Sequence, residues 1–210
     1  MGYTTDFNGH LTLSKPLTEE QFKYINKFSE TRRIKRDVSI LMELYDGKFG
    51  FPGTSKEKNT PEEIYGKQGE YFVGGLGSYG QTSDKSILDY NSPPNQLGYN
   101  DGGEFNDCWE ENNRRIKNGE CQPGLWCQWI VTGDENGMVL EWDEGEKFYD
   151  YIDWLKYLIN HFFTKWGVLL NGTIEWFGEE RTDFGKIIVN DNVITIGNGE
   201  LVYIEEEDDE

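Results

Sequence analysis

The stretch Gln122–Gly167, QPGLWCQWIVTGDENGMVLEWDEGEKFYDYIDWLKYLINHFFTKWG, decides the fold. In its first part Leu125, Cys127, Trp129 and Val131 alternate with Trp126, Gln128 and Ile130, the period of two that suits a strand. A loop from Thr132 to Gly137 follows, and its Asn136-Gly137 accepts the positive φ of a hairpin turn. The next strand places Met138, Leu140 and Trp142 on one face, with Val139 and Glu141 on the other. Asp143 stands three residues before Glu146, the spacing of an N-cap and its reciprocal partner. From Phe148 to Trp166 apolar residues recur at steps of three and four, which predicts one amphipathic helix. Gly167 is placed to end it in a left-handed cap.

Outward from this unit, YTTDF and HLTLS on either side of Asn8-Gly9 read as a hairpin. A second helix is predicted from Leu17-Thr18. Thr18 and Gln21 have capping-box spacing, Glu19 and Glu20 suit its positive end, and Phe22, Ile25, Phe28 and Ser29 form its apolar stripe. It is expected to run on into Thr31-Arg32-Arg33-Ile34-Lys35-Arg36, where the four cations read as a solvated helix end. An anion site or a salt-bridge partner is the functional alternative for that cluster.

Regularity falls from Gly47 to Glu120, where Gly, Asn, Asp, Pro and Ser are frequent. Within it, Asn59–Ile64 reads as a helical turn with Pro61 at its first position, and EYFVGG as a short strand. Residues 98–120 look like an insertion. After the main helix, GVLLNGTIEWFGEE reads as extended pieces around Asn171-Gly172, and FGKIIVNDNVITI as strands around Asp191-Asn192. LVYI offers a further edge, and the acidic end 205–210 reads as a disordered tail. The expected fold class is therefore α+β, with residues 1–204 as one domain. An antiparallel or mixed sheet carries two main helices packed on one face, plus an irregular Gly/Asn-rich insertion.

Composition restricts function. Twenty basic residues stand against 39 acidic ones, a net charge of −19. The attractive phosphate contacts on which nucleic-acid binding depends would be repulsive, so no direct nucleic-acid role and no anionic membrane surface is expected. No apolar run approaches the ~20 residues of a membrane span. MGYTTDF lacks the basic and apolar regions of a secretory signal. Three cysteines, Cys108, Cys121 and Cys127, form no regular framework, which points to a reducing compartment and a cytoplasmic location. A basic protein is the natural partner.

Motifs of chemistry are few. Gly75-Leu76-Gly77-Ser78-Tyr79-Gly80 has the G-x-G-x-x-G form, yet QTSDKSILDYNSPP after it offers no helix to hold a pyrophosphate. His161, next to Phe162 on the main helix, reads as structural, and Cys127 as buried and inert. No cofactor and no metal site is expected. One candidate ligand-binding face remains: Trp126 and Gln128 on one strand, Glu141 and Asp143 on the next, and Glu175 on TIEWF. Carboxylates there could bind a cation or do acid/base work, and indoles could stack on a ring or a cation. Half-exposed strands also carry Glu and Trp for purely structural reasons.

Several motifs are specific. GYTTDF-x-G at 2–9, YFVGG at 71–75, QPGLWCQW at 122–129, EWDEGEKFY at 141–149 and the W-G-x-x-L-N-G-x-x-E-W-x-G-E pattern at 166–179 resemble a family of bacterial and phage proteins without an assigned function. The resemblance spans most of the chain; its members lack much of 98–120. It implies no catalytic residues, and it favours host-directed or accessory roles, with the host cytoplasm as location if the chain is phage-encoded. The resulting expectation is a non-enzymatic acidic interaction protein, of the kind a phage uses to inhibit a basic host protein. A small-ligand or nucleotide-binding domain on the Trp/Glu face, and a structural part of an assembly, are the alternatives.

Overall fold

A computed structural model describes residues 2–74, 85–94, 121–133 and 137–201. The glycine loop at 75–80, the 98–120 segment, Cys108 and the acidic tail lie outside the described residues. The elements in chain order are β1 (Thr5–Leu13), α1 (Glu19–Glu30), β2 (Lys35–Arg36), α2 (Val38–Tyr45), α3 (Pro61–Tyr65), β3 (Ile87–Asp89), β4 (Trp129–Thr132), β5 (Val139–Trp142), α4 (Tyr151–Leu158), β6 (Leu170–Gly178), β7 (Phe184–Asn190) and β8 (Val193–Asn198). Six strands form one antiparallel sheet in the order β4-β5-β1-β6-β7-β8, and β2 pairs β3 separately. This is the α+β architecture expected.

The alternation at Cys127, Trp129 and Val131 holds: all three are buried, while Trp126 is exposed and Gln128 and Ile130 are intermediate. Leu11, Leu13, Leu140, Leu170, Ile174, Ile187 and Val189 from the other strands point to the same side. There they meet Ile25 and Phe28 of α1 and Trp154, Leu155 and Leu158 of α4. The two main helices thus cover one face of the sheet. The opposite face carries Asp6, Asn8, His10, Thr173, Glu175, Phe177 and Lys186, and these are exposed or half-buried. A smaller cluster gathers Val38 and Leu41 of α2, Ile64 and Tyr65 of α3, and Phe72.

Capping explains three helix starts, with Asp37 Oδ1 accepting the Ser39 and Ile40 N–H groups at the start of α2. Thr18–Gln21 and Thr60–Glu63 both form reciprocal capping boxes, and Pro61 sits in the first turn of α3 as expected. The start of α4 differs from the expectation. Asp143 accepts the Gly145 N–H at 2.8 Å in a local turn instead of capping a helix. Glu144, Lys147 and Asp150 then adopt positive φ, so the chain cannot be helical before Tyr151. Asp150 gives no side-chain cap. Such a cap is worth about 1 kcal/mol, whereas each large side chain buried on this helix contributes roughly 1.5–3 kcal/mol. Trp154, Leu155, Tyr157 and Leu158 are all buried, so packing fixes α4. It continues as a π-turn over Ile159–Phe163, with the Thr164 N–H donating to the Ile159 carbonyl at 2.9 Å, and Gly167 closes the stretch at φ 64°.

Two Asn-Gly pairs do not turn the chain. Asn8-Gly9 lies inside the nine-residue β1, and Asn171-Gly172 inside the nine-residue β6. The two strands pair along their whole length, with Gly9 opposite Ile174 and Leu11 opposite Gly172. A Cβ on Gly9 would lie 2.5 Å from the Thr173 carbonyl oxygen, and one on Gly172 would lie 2.6 Å from that of His10. Close backbone approach, not reversal, is what these glycines permit. Asp191-Asn192, by contrast, is a true two-residue hairpin turn, with φ of 48° and 69°. EYFVGG forms no strand over its described residues 70–74.

The basic cluster corrects the expectation most. Helix α1 stops at Glu30, and Arg33 and Arg36 are each only 2% exposed. Arg33 donates to the carbonyls of Phe72 (2.9 Å) and Glu70 (2.7 Å), lies 4.1 Å over the Phe28 ring, and has its pKa lowered to about 10 by burial. Arg36 donates to Ser86 Oγ at 2.9 Å and sits over Phe72. Both guanidiniums pin the loop chain beneath the helices rather than meeting solvent.

Candidate functional site

Strands β1 and β5 pair at Leu11–Leu140 and Thr12–Val139, and the Leu13 N–H donates to the Met138 carbonyl at 2.8 Å. Beyond these residues β5 ends at Trp142 and the chain turns through Asp143 and Glu144, while β1 stays with β6. A cleft of about 570 Å³ opens where they part. Phe7, Trp142 and Ile130 supply its apolar lining, Asn8 and Gly9 its β1 wall, and Glu141, Asp143 and Glu144 its acidic wall.

The floor is rigid. Phe7 makes edge contacts with Trp129, Trp142, Phe148 and Tyr151 at ring separations of 4.8–5.9 Å. Trp142 is fixed from below, its indole N–H donating to Gln128 Oε1 at 3.1 Å, and Gln128 Nε2 donates in turn to the Glu146 carbonyl at 3.0 Å. Glu141 accepts the Thr132 hydroxyl at 2.7 Å, which orients its carboxylate on the uncovered face. Asp143 has a raised pKa because its carboxyl is desolvated by its neighbours, although the residue as a whole is exposed; the Gly145 N–H partly opposes the shift.

The structure therefore joins Glu141 and Asp143 in one cleft. Gln128 acts through Trp142 and does not line it. Trp126 is exposed outside the cleft. Glu175 lies across β1, opposite Asn8 in register, and pairs with Lys186 at 2.9 Å. Sequence reasoning missed Phe7, Asn8 and Glu144. The only signal for the first two was that β1 and β5 would have to be neighbours, and spacing along the chain does not report that. No group of three or more His, Cys, Asp or Glu able to hold a metal gathers among the described residues, so the acidic wall is a field rather than a cage.

A second polar cluster lies under the helices. Glu70 is 7% exposed, and its backbone carbonyl accepts from Arg33 and from Gln122 Nε2 at 2.6 Å. Burial pushes its carboxyl up to about 7, against a bond from Tyr71 and the charge of Lys165. The Tyr71 hydroxyl also bonds His161 Nδ1 at 2.8 Å, and the imidazole stacks on Tyr157 at 4.1 Å. His161 thus sits in a structural network. Cys127 is a buried free thiol, raised to about 12 chiefly by burial, and is inert as a nucleophile. Cys121, in contrast, is in a disulfide.

No helix among the described residues is long and apolar enough to cross a membrane. No protein-family model, no curated protein and no solved structure matches the chain.

Proposed function

We propose that the chain is a non-enzymatic acidic protein that binds a basic protein partner, in the manner of a phage-type inhibitor, and that the β1/β5 cleft takes a cationic side chain of that partner. The observation that carries this reading is the cleft itself: an indole and a phenyl ring at its base, three acidic residues on one wall, and no residue of a described helix in its lining. A guanidinium can lie against such rings while its donors meet carboxylates. The net charge of −19 adds long-range attraction for a basic surface and speeds encounter.

The test is capture from a bacterial lysate with the wild-type chain and with Glu141→Gln/Glu144→Gln. A basic protein should be retained at low salt, released by roughly 0.5 M salt as screening sets in, and retained at least tenfold less by the double variant. Capture that ignores both salt and the two substitutions would sink the proposal. The size of the cleft also supports a second reading, since small-ligand sites span roughly 300–1,000 Å³. A rise in melting temperature with a nucleotide or a divalent ion, lost in the same double variant, would favour that reading instead.

A further inference from the structure

Strand β8 closes the sheet on one side, and among the described residues no strand pairs its outer edge. Its register with β7 fixes which backbone groups are spent. The Asp191-Asn192 turn makes Asn190–Val193 a hydrogen-bonded pair, and the Gly199 N–H donates to the Phe184 carbonyl at 2.8 Å. Alternation between those ends assigns the N–H and C=O groups of Val193, Thr195 and Gly197 to β7. Those of Ile194 and Ile196 point outward. The strand, VITIGN, carries no charge, proline or bulge, the devices that normally blunt an edge.

Two cavities flank this edge on opposite faces of the sheet. On the helix face, one of about 330 Å³ is lined by Asp150, Tyr151, Ile152, Asp153, Lys156 and Ile196. On the uncovered face, one of about 370 Å³ has Phe177, Phe184 and Ile188 around Gly197. Ile196 and Gly197 are consecutive, so they address opposite faces. A Cβ on Gly197 would meet nothing within 4 Å, so a neighbouring strand's side chain has room there.

Building on the reading of a basic protein partner, we propose that β8 accepts an extended segment of that partner as a seventh strand, with basic and apolar side chains in alternation. The residue opposite Ile196 exchanges both main-chain hydrogen bonds with it and turns its side chain to the helix face. There a Lys or Arg stem lies on Ile152 and Ile196, with its charge beside Asp150, next to the Asp153–Lys156 ion pair (3.6 Å) that lines the same cavity. The next residue, opposite Gly197, places an apolar side chain against Phe184 and Ile188. Main-chain bonds supply affinity and the alternating cavities supply selection, as in other strand-addition sites. Charge complementarity with the acidic chain selects a basic segment over a second copy of this chain.

The test titrates the full chain with a blocked hexapeptide of alternating Lys and Val, followed by amide NMR and hydrogen exchange at low salt. Controls are the alternating Glu-Val hexapeptide and a block peptide with three Lys followed by three Val. The Lys-Val peptide should shift Ile194, Ile196 and Gly197 saturably, slow exchange of the Ile194 and Ile196 amides, and bind at least tenfold more tightly than either control. Ile196→Pro removes an outward N–H that β7 does not use, and should abolish this protection while the β7 amides stay protected. Asp150→Asn, which keeps a residue tolerant of positive φ, should reduce the preference for Lys over Glu. If the block peptide binds as well as the alternating one, with shifts at Asn8, Glu141 and Glu144, the strand inference falls and the basic-partner reading stands. Should neither cationic peptide shift any amide, both fall. Equal binding of the Glu-Val peptide, or dimerisation of the chain through β8, overturns the choice of partner made here.

Discussion

Replacing Glu70 by glutamine should change how stability depends on pH, in a direction and amount that follow from its surroundings. The main chain at Glu70 is held by Arg33 and Gln122 through its carbonyl, so those bonds do not depend on the side chain's charge. The carboxyl is buried and titrates near 7 in the fold, against 4.5 for an unperturbed glutamate. Between those values the folded chain keeps a proton that the unfolded chain has released. Folding is therefore favoured at low pH and loses stability as pH rises from about 4.5 to about 7. At about 1.4 kcal/mol per pH unit, the loss comes to about 3 kcal/mol, complete by about pH 8. Glutamine is neutral throughout and of the same shape. Urea unfolding followed by tryptophan fluorescence at pH 5, 6, 7 and 8 measures the difference between the two chains. The variant's advantage should grow from below about 1 kcal/mol at pH 5 to about 3 kcal/mol at pH 8, with unchanged denaturant slopes. A constant difference would show that the carboxyl is not desolvated. A difference of the opposite slope would show that Lys165 and Arg33 hold it ionised, and the account of the buried network would then be wrong.

Three further outcomes test the fold. Gly9→Ala or Gly172→Ala, each at positive φ with a carbonyl oxygen within 2.6 Å of the new Cβ, should cost about 2 kcal/mol and lower Tm by roughly 4–8 °C, while Gly197→Ala should change Tm by less than about 2 °C. Arg33→Ala should destabilise by about 3 kcal/mol or more in urea, because the Phe72 and Glu70 carbonyls lose buried donors; Arg33→Lys should recover little of it, since one ammonium cannot span the same acceptors. Phe7→Leu removes four edge contacts at about 0.5–1.5 kcal/mol each, not fully additive, so a loss of about 2–3 kcal/mol and an altered near-UV circular dichroism spectrum are expected.

What could be read in advance was whatever the chain encodes locally. Alternation at Cys127, Trp129 and Val131 named the buried face, and the Thr18 capping box and Pro61 at a first helical position named two helix starts, because each depends on residues a few positions apart. What could not be read depends on partners distant in sequence. Asn8-Gly9 has the composition of a turn, and only the full-length pairing of β1 with β6 makes it straight. Arg33 and Arg36 look like a solvated helix end until Phe72, Glu70 and Ser86, 37 to 50 residues away, supply acceptors. At the site, Glu141 and Asp143 were legible as neighbours on a strand. Phe7 and Asn8 join them only because β1 enters the sheet beside β5, 127 to 129 positions along the chain from its partners.

The charge distribution gives the uncovered surfaces a common logic. An uncharged, unblunted edge such as β8 invites pairing with any exposed strand, including the same edge on another copy. Two copies meeting there would each bring a net charge of −19, and at modest salt this repulsion acts over roughly 10 Å. The same field draws in a strand with alternate lysines or arginines. On the proposed reading the acidity thus selects twice: it keeps the edge from closing on itself, and it raises the local concentration of segments that suit the two flanking cavities. Raising salt should then move the two processes in opposite directions, weakening capture of a basic strand while permitting self-association. A chain whose acidity served solubility alone would show the second trend without the first.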